Sequence, residues 1–408
     1  MHNLDLFQRA LGLEEPWEVV DEKFDVGRRR LDLRIDFPRG ARFACPECGP
    51  AGCKVHDTES HTWRHLNFSQ YEAYLTVRVP RVICAEHGVK QVQVPWARER
   101  CDFTLLFEAY VMALVKEMPV KAIGKLVGEH DTKLWRVVHH YVDLAVEAQD
   151  LSGTERAGID DTSFRRGQDY VTVFADLDSS ERRAVFVTEG RDHETVEQFA
   201  DFLTAHGGAP ENITEVSQDM SAAYLKGVRE HLPKAQVTFD RFHVKQKLGE
   251  AIDEVRRADA KQHKDLLKNT RYLWLKRPEN LSEKQLDWLD ELLLQPLATV
   301  RAYEQALRFD DFYELEDPAA AEEYLRRWVS EAKAGDLEPL AHFAEMLETH
   351  WPGVIRWHQT RVSNGLLEGL NSLIQTAKRR ARGYRSTRNY KTMIYLVAGK
   401  LNPGPLVT

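Results

Sequence analysis

Along Tyr71–Cys84 the chain reads "YEAYLTVRVPRVIC", with apolar and polar positions alternating as in a strand that buries one face. Over 101–150 the apolar spacing lengthens to that of short helices. From Ile159 it changes again. "RAGID", "YVTVFADLD" and "RRAVFVTEG" read as strands, the last two joined by a turn around Ser179–Ser180. "HETVEQFADFLTAHGG" has helical spacing and ends in glycines. "NITEVSQDM" follows as a strand, "SAAYLKGVREHL" as a helix and "AQVTFDRFHV" as a further strand, giving the order β-β-β-α-β-α-β. From about Lys245 to Gln359 the pattern is helical throughout, with no internal repeat and no low-complexity stretch.

A chain of 408 residues is too long for one ordinary domain and suggests about two to four. No apolar run approaches the roughly 18 residues that cross a bilayer. The opening "MHNLDLFQRALGLEEP" lacks the basic flank and apolar core of a secretion signal, so a cytoplasmic location is expected. Net charge is −8, which taken alone argues against nucleic acid. The charge is segregated, however. Acids crowd Leu281–Glu348, while bases crowd "GRRRLDLR" and "VSNGLLEGLNSLIQTAKRRARGYRS" at Val362–Ser386. DNA responds to such local patches rather than to the sum.

Five cysteines make no disulfide scaffold. "CPECG" supplies Cys45 and Cys48, and "CAEHG" supplies Cys84 and His87. Each is a ligand-x-x-ligand knuckle followed by glycine, and two such knuckles furnish the tetrahedral set of a structural zinc. Cys53 and His56 form a rival second pair at the same spacing; the ribbon arrangement, with a hairpin between knuckles, favours Cys84 and His87. Cys101 has no obvious partner and reads as a buried structural cysteine. "VKAIGKLVGEHDTKLWRVVHHYV" reads as helix, turn, helix, with Pro119 before it, Gly128 ending the first helix and Asp131 capping the second. Ile123, Val127, Leu134 and Val138 would pack the pair, leaving Thr132, Lys133, Arg136 and His140 facing out as on a DNA recognition helix. A plain packing hairpin would look similar.

Three acids stand where a sheet-based metal site needs them. Asp160 ends "RAGID", Asp219 ends "NITEVSQD", and Glu368 opens the late helix. Each alone could be a cap. In a fold of the ribonuclease H type, however, the first and fourth strands are neighbours. Their carboxylates then converge, and a later helix can bring a third. Converging carboxylates repel unless cations lie among them, and two Mg²⁺ or Mn²⁺ ions roughly 3.5–4 Å apart suit oxygen ligands. In the late helix Glu368, Gln375, Arg379 and Arg382 share one stripe, with Asn371 and Ser372 beside it. Leu366, Leu370, Leu373 and Ala377 share another, as a packing face. Lys378, Arg379, Arg380, Arg382 and Arg385 would hold the phosphates leading away from the metal.

Together "CPECG", "CAEHG", "TWRHL", "VPRVIC", "VPWA", "GIDDTSFRRGQDYVTVFADLD", "SQDMSAAY", "FDRFHV" and the late basic helix resemble the bacterial insertion-sequence transposases of the ISL3 family over nearly the whole chain. The resemblance implies an α+β multidomain protein. Its parts are a zinc-ribbon-like module over 1–100 and a helix-turn-helix over 101–150. The first part of a ribonuclease H-like core spans 155–244, an all-α insertion 245–358, and the core's last helix with a basic tail 359–408. It implies a DDE transposase with Asp160, Asp219 and Glu368 as catalytic magnesium ligands. The family's usual Asp-Glu reads Asp160-Asp161 here, leaving Asp161 a minor rival. "DRFH" matches an aspartate-x-x-histidine element, so Asp240 and His243 are expected to orient the site or contact DNA, with Asn371 close by. The implied partners are double-stranded DNA, as transposon ends and target, and a second copy of the chain. The alternatives are a DNA-binding regulator with a degenerate core, a ribonuclease H-like nuclease, and a scaffold whose acidic helices bind partners.

Overall fold

Residues 3–165, 169–178, 182–361 and 365–401 are described by the structure, a computed structural model, and fall into two units, one ending at Ala145 and one running Val146–Leu401. The first unit begins with α1 (Asn3–Ala10) and continues through β1 (Glu18–Asp25), β2 (Arg30–Asp36), β3 (Arg42–Cys45), β4 (Gly49–Arg64), β5 (Glu72–Cys84) and β6 (Gly88–Gln91). They form one sheet in the order β1-β2-β5-β4-β3, with β6 also paired to β5. The alternation read in β5 is real. Ala73, Leu75, Val77 and Val79 are buried, and they meet Leu31, Leu33 and Ile35 of β2 in one core. Three helices follow: α2 (Leu105–Glu117), α3 (Val120–Val127) and α4 (Asp131–Glu147). Ile123, Val127, Leu134 and Val138 are buried between them as expected. α4 begins at Asp131, and His130 Nδ1 accepts the Thr132 N–H at 3.2 Å.

Ribbon and helices are pinned together by one buried arginine. Arg64, at the end of β4, is 2% exposed. Its guanidinium donates to the carbonyls of Ala73 (3.2 Å) and Val127 (3.4 Å) and stacks over Tyr74 and Phe107. Next to it, His65 Nδ1 lies 2.9 Å from Thr104 Oγ1, and Thr104 caps α2. Burial therefore pushes the His65 pKa down to about 4. Cys101 does have a partner: its thiol donates to Glu108 Oε1 at 2.8 Å. Glu108 is fully buried and also receives Tyr141 (2.6 Å) and Arg98 (2.9 Å).

The second unit holds a five-stranded sheet of β7 (Arg156–Ser163), β8 (Tyr170–Asp176), β9 (Arg183–Glu189), β10 (Glu215–Gln218) and β11 (Gln236–Phe239). Its order is β11-β10-β7-β8-β9. The first three strands are antiparallel neighbours, and β10 lies parallel to both β7 and β11. First and fourth strands are thus adjacent. Helices α5 (Glu194–Ala205) and α6 (Ala222–His231) pack Phe199, Leu203, Tyr224 and Val228 against Ile159, Phe174 and Val216. The turn expected around Ser179–Ser180 lies outside the described residues.

A helical block follows β11: α7 (Arg241–Asp259), α8 (Lys264–Leu267), α9 (Arg271–Leu275), α10 (Glu283–Leu293), α11 (Ala298–Glu314), α12 (Pro318–Ala334), α13 (Glu338–Thr349) and α14 (Trp351–Thr360). Phe309, Phe312, Trp328 and Phe343 centre its core, which reaches Phe239 of β11. From α14, Arg356 pairs with the buried Glu215 of β10 at 2.7 Å. The chain then returns to the sheet with α15 (Gly365–Ala381) and α16 (Thr387–Ala398).

Four expectations need correction. Asp160 does not end its strand, because β7 continues to Ser163 along β8. "AQVTFDRFHV" is not one strand: the Asp240 carboxylate accepts the Phe242 N–H at 3.0 Å, caps α7 and stops β11 at Phe239. The packing face of α15 is rotated. Leu367, Leu370 and Ile374 are buried and Leu373 is 51% exposed, while the Leu366 side chain lies outside the described residues. The basic tail contains α16, whose Tyr390, Ile394 and Leu396 are buried and whose Tyr395 hydroxyl accepts the Val187 N–H of β9 at 2.9 Å.

Candidate metal centre and active site

Cys45, Cys48, Cys84 and His87 bring one ligand atom each within 4.8 Å of all the others. The sulfurs of Cys48 and Cys84 are 3.5 Å apart, and His87 Nδ1 is 3.6 Å from Cys84 Sγ. The turns after β3 and β5 place them, each closed by a glycine in the left-handed region (Gly49, φ 85°; Gly88, φ 68°). Backbone N–H groups of His87 and Glu86 face the Cys84 sulfur and hold its pKa down, while the Cys48 thiol, hydrogen-bonded to the Cys84 sulfur, is pushed up to about 12. Sulfurs sharing protons at this separation, with one imidazole, fit a tetrahedral zinc. Cys53 lies within β4 outside the group, and His56 turns to Asp57 at 3.1 Å, so the rival pair is not part of it.

In the second unit the register lines up three aspartates. Ser217 pairs with Gly158, so two steps on Asp219 stands level with Asp160. Gln218 pairs with Phe239, so one step on Asp219 is also level with Asp240. Burial pushes the Asp160 pKa up to about 7, with Asp161 and Asp219 adding to the rise and His243 opposing it. Burial would lower the His243 imidazole, but Asp240 Oδ2 at 3.2 Å from Nδ1, with Asp160 and Asp219 behind it, holds it above its ordinary value. Asp219 Oδ1 also accepts the Ser221 N–H at 3.0 Å, the turn-capping role a bland reading would give it.

Strand alternation separates the two adjacent aspartates. Asp160 faces α15, where Asn371 Nδ2 donates to its Oδ2. Asp161, paired with Thr172 of β8, faces α6, whose Tyr224 hydroxyl lies 2.9 Å from Thr172 Oγ1. The α15 face repeats at Thr162, which accepts Gln375 Nε2 at 2.6 Å, and at the Ser163 carbonyl, which accepts Lys378 Nζ. Leu367 fills the space over Gly158, where an added Cβ would lie 2.9 Å from Leu367 Cδ1. Glu368 is exposed in the first turn of α15, one turn before Asn371. Among the described residues the three acids are not drawn into one cluster of ligand atoms. Arg379, Arg380, Arg382 and Arg385 are exposed, whereas Lys378 turns inward to β7. In the first unit Arg136 is exposed, and Lys133 shares its charge with Glu129 at 3.4 Å.

Comparison with known families decides the class of protein. The transposase model of the ISL3 DDE group matches residues 157–394, more than half of the chain. The chain belongs to the ISL3 transposase family. The helix-turn-helix domain of transposase family ISL3 matches 92–142, and the zinc-finger of transposases IS204, IS1001, IS1096 and IS1165 matches 41–87. The chain is 29% identical to the transposase for insertion sequence element IS1001 of Bordetella parapertussis, over 90% of this chain and 91% of that protein. It is also 29% identical to the transposase for IS1557 of Mycobacterium tuberculosis, over 95% and 93%. This ISL3 transposase therefore carries a DNA-binding helix-turn-helix and a Cys₃His group suited to structural zinc. No helix among the described residues is long and apolar enough to cross a membrane. Sequence reasoning missed two residues around the aspartates: Thr162, the partner of Gln375, and Tyr224, the partner of Thr172 on the Asp161 face of β7. Alternation along "GIDDTSF" was the available signal.

Proposed function

We propose that this transposase binds the terminal inverted repeats of its own element, cleaves a phosphodiester at each end and joins the freed ends to target DNA. The observation that carries the proposal is the level placement of Asp160 and Asp219 on adjacent strands, with Asn371 of α15 reaching the same carboxylate. The strand order supports a ribonuclease H-like core interrupted by the helical block α7–α14. Asp160 and Asp219 fit hard divalent cations: a buried carboxylate with a raised pKa, beside further acids, is one that a cation would return to the charged form. With Glu368 they would hold Mg²⁺ or Mn²⁺, which when bound supplies an activated oxygen nucleophile and charge neutralisation.

The remaining tasks belong to the chain. Asn371 fixes the Asp160 carboxylate against rotation. His243, whose pKa Asp240 and the neighbouring aspartates raise, would face the extra negative charge that develops on phosphate. Arg379, Arg380, Arg382 and Arg385 hold the DNA backbone beyond the cut, and Arg136 with Lys133 serves the helix-turn-helix in reading the ends. In hydrolysis the water oxygen bonds to phosphorus and the bond to the 3′-oxygen breaks, that oxygen leaving as the hydroxyl. The hydroxyl then attacks a target phosphodiester and displaces its 3′-oxygen in turn. Two ends must be held together, so the working form is a dimer or larger assembly on DNA, in the cytoplasm at the nucleoid.

The test is incubation of purified protein with DNA carrying the flanks of its own gene, under Mg²⁺, Mn²⁺ or EDTA. Metal-dependent nicking at the element ends, lost in Asp219→Asn and Glu368→Gln, is expected. Tight end binding with no cutting under any condition would replace this reading with that of a DNA-binding regulator.

A further inference from the structure

Phe242 is 54% exposed, although it lies in the first turn of α7 beside the aspartates. It stands off the helix's packing stripe, which is Val244, Leu248, Ala251, Ile252 and Val255. Its backbone is fixed by the Asp240 cap at 3.0 Å, and its ring stands edge-on to His243, with centroids 5.6 Å apart and planes at 74°. His243 in turn feels Asp160 and Asp219. The ring is therefore held in water two residues beyond Asp240, the residue level with Asp219. The surrounding sequence is basic, Arg241, Lys245 and Lys247 preceding the first acid, Glu250; Lys245 pairs with Asp310 at 2.5 Å and Lys247 with Glu250 at 2.9 Å. Arg241 lies over the rings of Tyr313 and Trp357, 5.7 Å from each, so aromatic and basic groups are interleaved here. Among the described residues the Phe242 ring is not part of the apolar core into which α7 packs.

We propose that Phe242 is a stacking platform for an unpaired base at the DNA end. The inference rests on the DNA-cleaving reading above and adds to it the form of DNA the site accepts. A scissile phosphate inside a paired duplex is flanked by stacked bases. If the terminal pair opens, its base offers a π-face, and a rigid ring beside the carboxylates receives it. Such stacking is sequence-tolerant and contributes about 1–3 kcal/mol per base, or roughly 5- to 150-fold in affinity.

Fluorescence anisotropy of the full-length protein tests this with two probes, a blunt duplex of the element's own end and the same duplex with a short unpaired tail. Wild type is expected to prefer the tailed probe. Phe242→Ala is expected to lose about 5- to 150-fold on the tailed probe with little change on the blunt one, and Phe242→Trp to restore it. A 2-aminopurine in the tail should be quenched by wild type and Phe242→Trp and bright with Phe242→Ala, at an unchanged melting temperature. Equal affinity of wild type and Phe242→Ala for the tailed probe would overturn the proposal, as would equal loss on both probes. A wild type that binds neither probe would overturn it together with the end-binding reading; blunt-end binding without tail preference would overturn the proposal alone.

Discussion

The Cys₃His group takes all its ligands from Cys45–His87, two from the turn after β3 and two from the turn after β5. The proposed carboxylate site is spread from Asp160 to Glu368, with a block of helices in between. One is a pair of local turns tied by a hairpin. The other exists only once β7, β10 and β11 are in register and α15 has docked on β7. The difference teaches which parts fail together. The zinc group should fall with its own unit, and the carboxylate site should fail through small displacements that leave folding and DNA binding intact.

The strongest way to break the comparison is Cys84→Ser. Structural zinc in small modules contributes on the order of 10 kcal/mol of apparent folding energy, so zinc should leave and the first unit should unfold. Calorimetry should still show the transition of the second unit, and Cys53→Ser should keep its zinc. Next is Arg64→Ala, which removes a buried cation from four hydrogen-bond acceptors and should cost the first unit about 3 kcal/mol, read by chemical denaturation. His65 gives a pH test of the same seam. Its folded pKa, about 4, lies below the ordinary 6.5. The unfolded chain therefore takes the proton first, and stability present above pH 6.5 is lost as pH falls towards 4. The loss should be about 3 kcal/mol in the first unit and absent in His65→Asn.

The second unit is sharpened by Gly158→Ala. The new methyl meets Leu367, so α15 must shift or the strand must strain, at about 1–3 kcal/mol. Nicking should fall more than stability does, with DNA affinity unchanged. The smallest effect is expected from Arg379, Arg380 and Arg382 changed together to Ala. Duplex affinity should weaken across sequences, and the slope of log K against log salt should flatten by roughly 2–3. An unchanged slope would remove that helix end from the phosphate path.

The zinc group was legible because each knuckle is a contiguous pattern whose spacing is itself the geometry. The order of strands and helices along the chain was legible too, since each element carries its own periodicity. Less legible was whatever depends on which side of an element faces what. "DRFH" looked extended because Phe242 and Val244 suit a strand, yet the Asp240 cap turns it into a helix. The leucine face of α15 was misread by about one position, since the space over Gly158 selects Leu367, and only the docked strand reveals that space. Asp160 and Asp161 are equal in composition. Register and alternation give one to Asn371 of α15 and turn the other to the α6 face with Thr172.

That last distinction carries the account of the active site, and one comparison of variants tests it directly. The rate of Mg²⁺-dependent nicking at the element ends should be measured for wild type, Asp160→Asn and Asp161→Asn. Loss on the order of 10³-fold or more is expected in Asp160→Asn, with Asp161→Asn within about tenfold of wild type. Full loss in Asp161→Asn with activity retained in Asp160→Asn would place the metal on the opposite face of β7 and contradict the account.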